Sequence, residues 1–219
     1  MLQEAKRLAE RWERSHDETE QRRARAQDFD IDLALRAGDW VTLWSLLPRS
    51  EFAVSLAVRQ LKAEVAQDYD FIVLNGEKNK VMTARAAIAE EKDEYIYAAL
   101  GYTLHNLYNA FEGYFFRIAK FFENDIADPI WHRGLLERMT LNIEGVRPAL
   151  VDIAMSQRIE ELLKFRRVFR NIYKSPLVPA KVEFANKAAQ NLAADFSEFH
   201  LRFLDFLQEL ILELDAEGA

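Results

Sequence analysis

The sequence has few residues that turn a chain, and this limits the folds open to it. Its 219 residues include 7 Gly and 5 Pro, whereas a strand-rich fold needs a tight turn about every ten residues. Between these positions the apolar residues recur every three or four residues, as in an amphipathic α-helix. Hydrophobic residues make up 50% of the chain, which is sufficient for a buried core. We therefore predict an all-α helical bundle.

Four helices are predicted in the later part of the chain. The first covers 81–123 or 92–123, and a short helix covers 131–141. A basic helix then ends near Tyr173, and the last helix covers 179–214. The spacing of apolar residues within these helices predicts a shared core. Its members are predicted to include Leu104, Phe111, Phe115, Leu162, Phe169, Phe199 and Phe203.

The first part of the chain differs from the rest. Residues 1–27 are strongly charged and are predicted to form an exposed helix. A short helix is predicted at 40–47, and another begins at Glu51. We assign residues 1–60 to an N-terminal helical extension and residues 61–219 to the bundle.

Residues 69–75 are rich in β-branched and aromatic side chains, so they fit either a strand or part of a helix. A single strand has nothing to pair with, and we therefore predict that they form the end or the start of a helix. The dipeptide Asn75–Gly76 predicts a turn or a helix C-cap at this point.

The residue types present exclude several kinds of chemistry. There is no Cys, so a disulfide, a thiolate metal site and a cysteine nucleophile are ruled out. The four His stand at positions 16, 105, 132 and 200 and form no i, i+4 pair, so we expect no metal site and no cofactor. No apolar run reaches the length of a membrane span, and no signal-peptide pattern is present. We expect no membrane association and a cytoplasmic location.

Charge is distributed unevenly along the sequence. The net charge is −7, which argues against broad, non-specific binding of nucleic acids. Residues 157–181, however, contain seven Lys or Arg and two Glu, so this segment carries +5 and the remainder −12. A solvated helix face is the commoner cause of such a run, and an anion-binding surface is the alternative.

The basic segment combines an apolar stripe with cationic side chains. Arg166, Arg170 and Tyr173 lie together on the flank of the stripe at i, i+4 and i+7, and Lys174 follows. Guanidinium groups bind phosphate oxygens in pairs, so this edge is a candidate phosphate site. Alternatively, the arginines pair with carboxylates on a neighbouring helix. The stripe itself consists of Leu162, Phe165, Phe169 and Ile172.

The end of this helix resembles the motif helix of HEPN-superfamily proteins, in particular the HepT-like branch. HepT-like toxins carry the pattern Arg-x-x-x-x-His-x-Tyr. Arg166, Asn171 and Tyr173 fit this pattern, with Asn in the place of His. A second alignment that begins at Arg170–Asn171 finds Ser175 and Pro176 where the His should follow. Neither alignment supplies the histidine.

Other segments resemble the same branch. Residues 104–112 are similar to the first core helix of the family, which often bears a Tyr and a Glu. Residues 131–139 and 145–148 also look like this branch. The resemblance covers roughly residues 65–212 and implies a bundle of HEPN type with an extra N-terminal segment.

The resemblance implies a metal-independent ribonuclease that acts as a homodimer, with the motif helices of two protomers lining one cleft. In that chemistry the RNA 2′-hydroxyl attacks the adjacent phosphate, arginine neutralises the developing charge, and histidine moves the proton. Arg166 and Asn171 would then hold the catalytic positions. Arg166, Arg170 and Lys174 would bind the RNA phosphates.

Asn171 weakens this expectation because an amide does not titrate near pH 7. General acid–base catalysis is worth about 10²–10⁴-fold, so we expect a catalytically degenerate toxin. His105 and His132 are the candidates for replacing the missing group across the fold. A lone His is, however, more often an ordinary surface or packing residue.

The resemblance also implies a partner protein. The antitoxin of HepT systems is a small nucleotidyltransferase that adenylylates the signature Tyr, here Tyr173; alternatively, this ring packs at the helix end with its hydroxyl in water.

Three functions stay open. The chain is a HepT-like member of a toxin–antitoxin or defence system, a non-enzymatic dimer that binds RNA, nucleotide or a partner protein through a basic cleft, or an unrelated bundle whose N-terminal helices dock a partner.

Overall fold

The computed structural model describes residues 51–91, 93–123, 131–172 and 177–217. Residues Val54–Ala219 form one compact unit. The helices predicted at 1–27 and 40–47 lie outside the described residues. The N-terminal extension and its boundary at residue 60 therefore stay predictions.

The described residues form an all-α bundle, which confirms the predicted fold class. They contain no strand, and a single β-bridge joins Ile143 to Arg147. The second helix, α2, packs against α3, α4 and α5, and α4 also packs against α5. The helices are α1 Glu51–Ile88, α2 Glu94–Phe122, α3 Trp131–Met139, α4 Ile153–Phe169, α5 Pro179–Ala189, α6 Leu192–Asp195 and α7 Ser197–Glu217.

Helix α1 is unbroken where the sequence predicts a break. Residues 69–75 are helical, as expected, but they lie in the middle of α1, so the turn predicted at Asn75–Gly76 is wrong. The side-chain amide of Asn75 donates to the Phe71 carbonyl within the helix, at 2.8 Å. A Cβ atom at Gly76 would lie 2.6 Å from Cβ of Ala193 in α6. Gly76 therefore serves the close packing of α1 against α6, and it does not form the turn that the sequence predicted.

Helix α2 forms the centre of the core. Asp93 caps its start by accepting a hydrogen bond from the Ile96 amide at 2.9 Å, so the later of the two predicted starts is nearly correct. The apolar stripe predicted from the three- and four-residue spacing is buried throughout. Its members are Leu100, Leu104, Leu107, Tyr108, Phe111, Phe115 and Ile118. Of the residues predicted for the core, Phe169 and Phe199 are only partly buried and pack against its edge.

The C-terminal helices differ from the prediction of one long helix over 179–214. The chain breaks after α5 because Asn191 adopts the left-handed conformation, with φ of 56°. Arg158 of α4 stabilises the break: its guanidinium donates to the Ala188 and Gln190 carbonyls and pairs with Asp195 at 2.7 Å. The apolar periodicity continues across the break, and for that reason the sequence pattern did not reveal that the helix is interrupted.

A buried guanidinium joins α2, α3 and the loop before α4. The Arg147 side chain is 0% exposed and donates to the carboxylate of Glu123, which caps the end of α2. It also donates to the carbonyls of Arg138, Leu141 and Pro148. A buried charge is tolerated when paired and fully hydrogen-bonded. The loop reaches this position through Gly145, whose φ is +73°.

Two glycines allow a matched test of the packing of α1. We expect Gly76→Ala to destabilise the fold, because the added methyl collides with Ala193. Gly113→Ala is the control, since nothing lies within 4 Å of a Cβ there. It should stabilise the protein by about 0.5–1 kcal/mol through helix propensity. Chemical denaturation of both variants measures the difference, and equal effects would contradict the assigned packing.

His200 is buried between aromatic residues. Its Nδ1 atom lies 3.0 Å from the Tyr114 hydroxyl, and its ring stacks on Tyr69 with centroids 4.0 Å apart. Burial lowers the pKa of His200 to about 4, although the charge of Asp70 opposes the shift. The native state therefore favours the neutral imidazole.

This pKa predicts a loss of stability on acidification. The unfolded chain, with an ordinary histidine pKa of about 6.5, takes up the proton first as the pH falls. Stability should decline from about pH 6.5 to about pH 4, by up to roughly 3 kcal/mol from this residue. His200→Gln keeps a polar side chain near Tyr114 but does not titrate. Subtracting its unfolding free energy from that of the parent at each pH isolates the effect, and a constant difference would contradict the assignment.

Candidate functional site

A row of polar side chains runs along one face of α2, at the edge of the buried stripe, and one member, Tyr108, belongs to both. Tyr108 and Asn109 lie three and four residues after His105, and Glu112 lies four and three residues after them, which puts all four on one side of the helix. We call this set the α2 polar row. It faces α4, the helix that carries the basic segment, since Arg166 of α4 contacts three of its members.

Arg166 lies across the α2 polar row. Its Nε donates to Asn109 Oδ1 at 3.1 Å, and its Nη2 lies 3.3 Å from Glu112 Oε2. Its guanidinium carbon is 5.5 Å from the centre of the Tyr108 ring. The side chains of Arg166 and Glu112 are 13% and 12% exposed. Arg166 thus makes the carboxylate pair that the alternative interpretation of the sequence predicts, at the rim of the core.

Tyr108 and Glu112 are linked as well. Burial raises the pKa of the Tyr108 phenol well above its usual value, and the nearby Glu112 carboxylate, to which the hydroxyl donates, raises it further. The phenol is therefore neutral at ordinary pH. Its ring gives the guanidinium a flat surface with a negative face, which helps to fix the plane of Arg166.

His105 lies at the N-terminal end of the row. Its Nε2 atom is 3.0 Å from the Asn109 side-chain nitrogen, and its Nδ1 atom is buried without a hydrogen-bond partner among the described residues. Burial lowers the pKa of His105, the charges of Arg166 and Arg170 lower it further, and Glu112 opposes them. His105 is thus within electrostatic reach of both arginines of the motif.

Close packing of α4 on α2 sets this geometry. A Cβ atom at Gly101 would lie 2.8 Å from the Phe169 ring and 3.3 Å from the Phe165 ring. The missing side chain lets both rings lie directly on α2. The Phe169 ring also packs against His105, with ring centres 5.4 Å apart. Arg166 lies between these two phenylalanines in the sequence, and its side chain bonds to Asn109 on α2.

The cations of the basic segment fall into two groups. Lys164 pairs with Glu161 on its own helix, and Arg158 pairs with Asp195 at the break after α5. Arg167 and Arg170, in contrast, are exposed and have no ion-pair partner among the described residues. Two arginines of the predicted basic patch thus differ: Arg166 is held, and Arg170 is open, as is Arg167, which the prediction did not include.

The remaining predicted site residues lie at or beyond the end of α4. That helix ends at Phe169, with Arg170 as its C-cap. Asn171 follows in a turn, exposed, and its side-chain amide donates to the Arg167 carbonyl at 2.8 Å. Tyr173 and Lys174 lie outside the described residues. The side chain of His132 does too, so its suggested part in the chemistry stays untested.

Sequence reasoning did not assign Asn109 or Arg167 to the site. It noted the Tyr and Glu in residues 104–112 and named His105 as a remote candidate, but it did not place them beside Arg166. The four-member polar spacing beside an apolar stripe was a usable signal. The sequence alone did not reveal which helix packs against these residues. The contact of Gly101 with the rings of Phe165 and Phe169 identifies that helix as α4.

A comparison with protein-family models matches residues 99–207 to a family described as HepT-like protein. Residues 99–207 belong to the HepT-like family. The match confirms the resemblance seen in the sequence, and the fold is an all-α bundle of the HEPN type. Neither the curated proteins nor the solved structures give a significant match.

The HepT-like region contains the whole α2 polar row, α4 and the residues after it. Helix α1 precedes it. Among the described residues, none of the helices is both long and apolar enough to span a membrane. The same residues contain no cluster of three or more His, Asp or Glu able to hold a metal ion.

Proposed function

We propose that this HepT-like protein is the toxin component of a toxin–antitoxin or defence system, with a ribonuclease-type site of reduced activity. The observation that carries the proposal is the position of Arg166. Within a HepT-like domain, the first residue of the motif pattern is held on three sides by Tyr108, Asn109 and Glu112. Glu112 and Tyr108 fix the guanidinium before substrate arrives, so it stabilises charge with little reorganisation of its own.

The surrounding charges suit a phosphate. Arg166 forms the inner contact, while the exposed Arg170 and Arg167 supply the outer ones. Lys174 is proposed to extend this surface. Such an arrangement would place the scissile phosphate against Arg166 and the neighbouring phosphates against the outer arginines. Asn171, at the motif position of the histidine, would hold a phosphate oxygen or a water molecule without moving a proton.

The proposed assembly follows the same family. We propose a homodimer in which α4 and the residues after it line a cleft shared by two protomers, in the cytoplasm. A nucleotidyltransferase antitoxin is the proposed partner, with Tyr173 as the residue it modifies. Sedimentation of the purified chain at tens of micromolar tests the dimer, and a monomer at that concentration contradicts it.

A second candidate is a non-enzymatic helical dimer that binds RNA, nucleotide or a partner protein through the same basic surface. It is favoured by the ion pair between Arg166 and Glu112, which neutralises the inner arginine. Under this reading only the exposed arginines, Arg167 and Arg170, contact the ligand. Binding and cleavage therefore have to be measured separately.

RNA binding should depend on the two exposed arginines. We expect the double variant Arg167→Ala with Arg170→Ala to bind single-stranded RNA more weakly. The slope of log affinity against log salt should become shallower by about 1.4, or about 0.7 per lost phosphate contact. Lys78→Ala with Lys80→Ala on α1 is the control, because it removes the same charge from exposed positions. Equal losses in both double variants would assign the effect to net charge and contradict a defined surface.

Cleavage should respond to residue 171. We expect the parent to be a poor nuclease and Asn171→His to raise RNA cleavage by about 10²-fold or more, because an imidazole can transfer the proton that an amide cannot. Gel analysis of a labelled RNA measures the rate. Adding Arg166→Lys should remove the gain, since lysine keeps the charge beside Glu112 but loses the planar fork.

The outcomes separate the two candidates. Strong parental cleavage that depends on Arg166 would show that the site is not degenerate. No cleavage by the parent or by Asn171→His, with RNA still bound, would favour the non-enzymatic module. Co-expression with a neighbouring nucleotidyltransferase, followed by growth and bulk RNA integrity, tests the toxin–antitoxin role in cells.

A further inference from the structure

A continuous line of hydrogen bonds connects the motif arginine to a histidine on the other helix. Arg166 Nε donates to Asn109 Oδ1 at 3.1 Å, and the Asn109 nitrogen lies 3.0 Å from His105 Nε2. A guanidinium has no acceptor, so Arg166 fixes the orientation of the amide, with its oxygen toward α4. The Asn109 NH₂ group must then face His105.

This orientation determines the tautomer of His105. Nε2 accepts from the Asn109 NH₂ group, so in the neutral ring the proton resides on Nδ1. Nδ1 is buried without a hydrogen-bond partner among the described residues. A buried donor left unpaired destabilises the folded state. The arrangement thus keeps a neutral imidazole at some cost in stability, with its basic nitrogen on the Asn109 amide that Arg166 orients.

We propose that His105 is the general base of this site, which accepts the proton of the RNA 2′-hydroxyl. Protonation of the leaving 5′-oxygen, which a histidine at position 171 would provide, is left to water because Asn171 does not titrate. The inference rests on the proposed ribonuclease function and adds the identity of its base. Asn109 acts as a latch: it occupies both Arg166 Nε and His105 Nε2 while no RNA is bound. Asn109 is exposed, so it is free to rotate away when a phosphate competes for Arg166.

One binding event would therefore prepare both groups. A phosphate oxygen that takes the Arg166 Nε–H removes the hydrogen bond that held Asn109. The released amide turns from His105, and Nε2 becomes available beside the bound phosphate. The positive charges of Arg166 and Arg170 favour the neutral imidazole before reaction, which is the form that accepts a proton.

The step balances without a metal or another reactant. His105 Nε2 takes the proton of the RNA 2′-hydroxyl as the 2′-oxygen forms its bond to phosphorus. The bond from phosphorus to the 5′-oxygen breaks, and that oxygen leaves with the electron pair and is protonated by water. The products are a 2′,3′-cyclic phosphate and a 5′-hydroxyl. The imidazolium then returns its proton to solvent.

The experiment compares RNA cleavage by the full chain with that by His105→Gln and Asn109→Ala. We expect His105→Gln to lose at least about 100-fold of the parental rate, while RNA affinity stays within about twofold. Asn109→Ala should cleave faster than the parent, because both latched groups are free. Asn106→Ala, on the same helix, is the matched control and should behave as the parent.

Two further measurements separate chemistry from packing. The parental rate should rise with pH through the pKa of His105, below its usual value, and then level off, whereas His105→Gln should lack this rise. Thermal melting confirms that each variant is folded. If His105→Gln does not fold, His105→Asn takes its place, and Asn109→Ala still tests the latch.

Failure of this inference is distinguishable from failure of the proposed function. If His105→Gln cleaves like the parent, or if only Asn171→His cleaves, His105 is not the base and the ribonuclease function stands. If Asn109→Ala is slower than the parent, the latch is overturned. If neither the parent nor Asn171→His cleaves RNA, the ribonuclease function and the role of His105 fall together.

Discussion

The buried guanidinium of Arg147 is the interaction on which the position of the site depends. It ties the C-cap residue of α2, Glu123, to the end of α3 and to the loop that leads into α4. Removing one partner of a buried pair costs about 3–5 kcal/mol, because the other charge is left without compensation. Helix α4 starts only a few residues after this junction, at Ile153. Hydrogen bonds, and not apolar packing alone, therefore fix the point from which α4 runs along α2. The placement of Arg166 depends on that point.

Two glycines in this bundle, Gly76 and Gly101, bring helices together. Gly76 lets α1 approach Ala193, and Gly101 lets Phe165 and Phe169 lie on α2. At each place a methyl group would require neighbouring atoms to move, so the absence of a side chain has a packing purpose. The contact at Gly101 matters for chemistry, because it decides how near the polar groups of the two helices come. The hydrogen bonds of Arg166 follow from that distance.

Much of the fold was predictable because period and composition are local properties. The stripe from Leu100 to Ile118 identified α2 and its buried face. The errors arose where tertiary contacts override local signals: Asn75–Gly76 stays helical because the glycine is needed against α6, and the break at Asn191 is held by the distant Arg158. For the site, the pattern within α4 identified Arg166. Its contacts with Asn109 and Glu112 were not predictable, since they depend on which helix packs against α4.

The contact between Phe169 and Gly101 limits how the motif can change in length. Phe169 anchors the last turn of α4, and Arg166 lies three residues before it. An insertion or deletion between them would rotate Arg166 by about 100° around the helix, away from Asn109. After Asn171 the helix has ended, and added residues would lengthen the following segment without disturbing the arginine. Relatives of this chain should therefore keep a constant spacing before the anchor and tolerate variable length beyond it, so gaps in their alignments should collect on one side of Phe169.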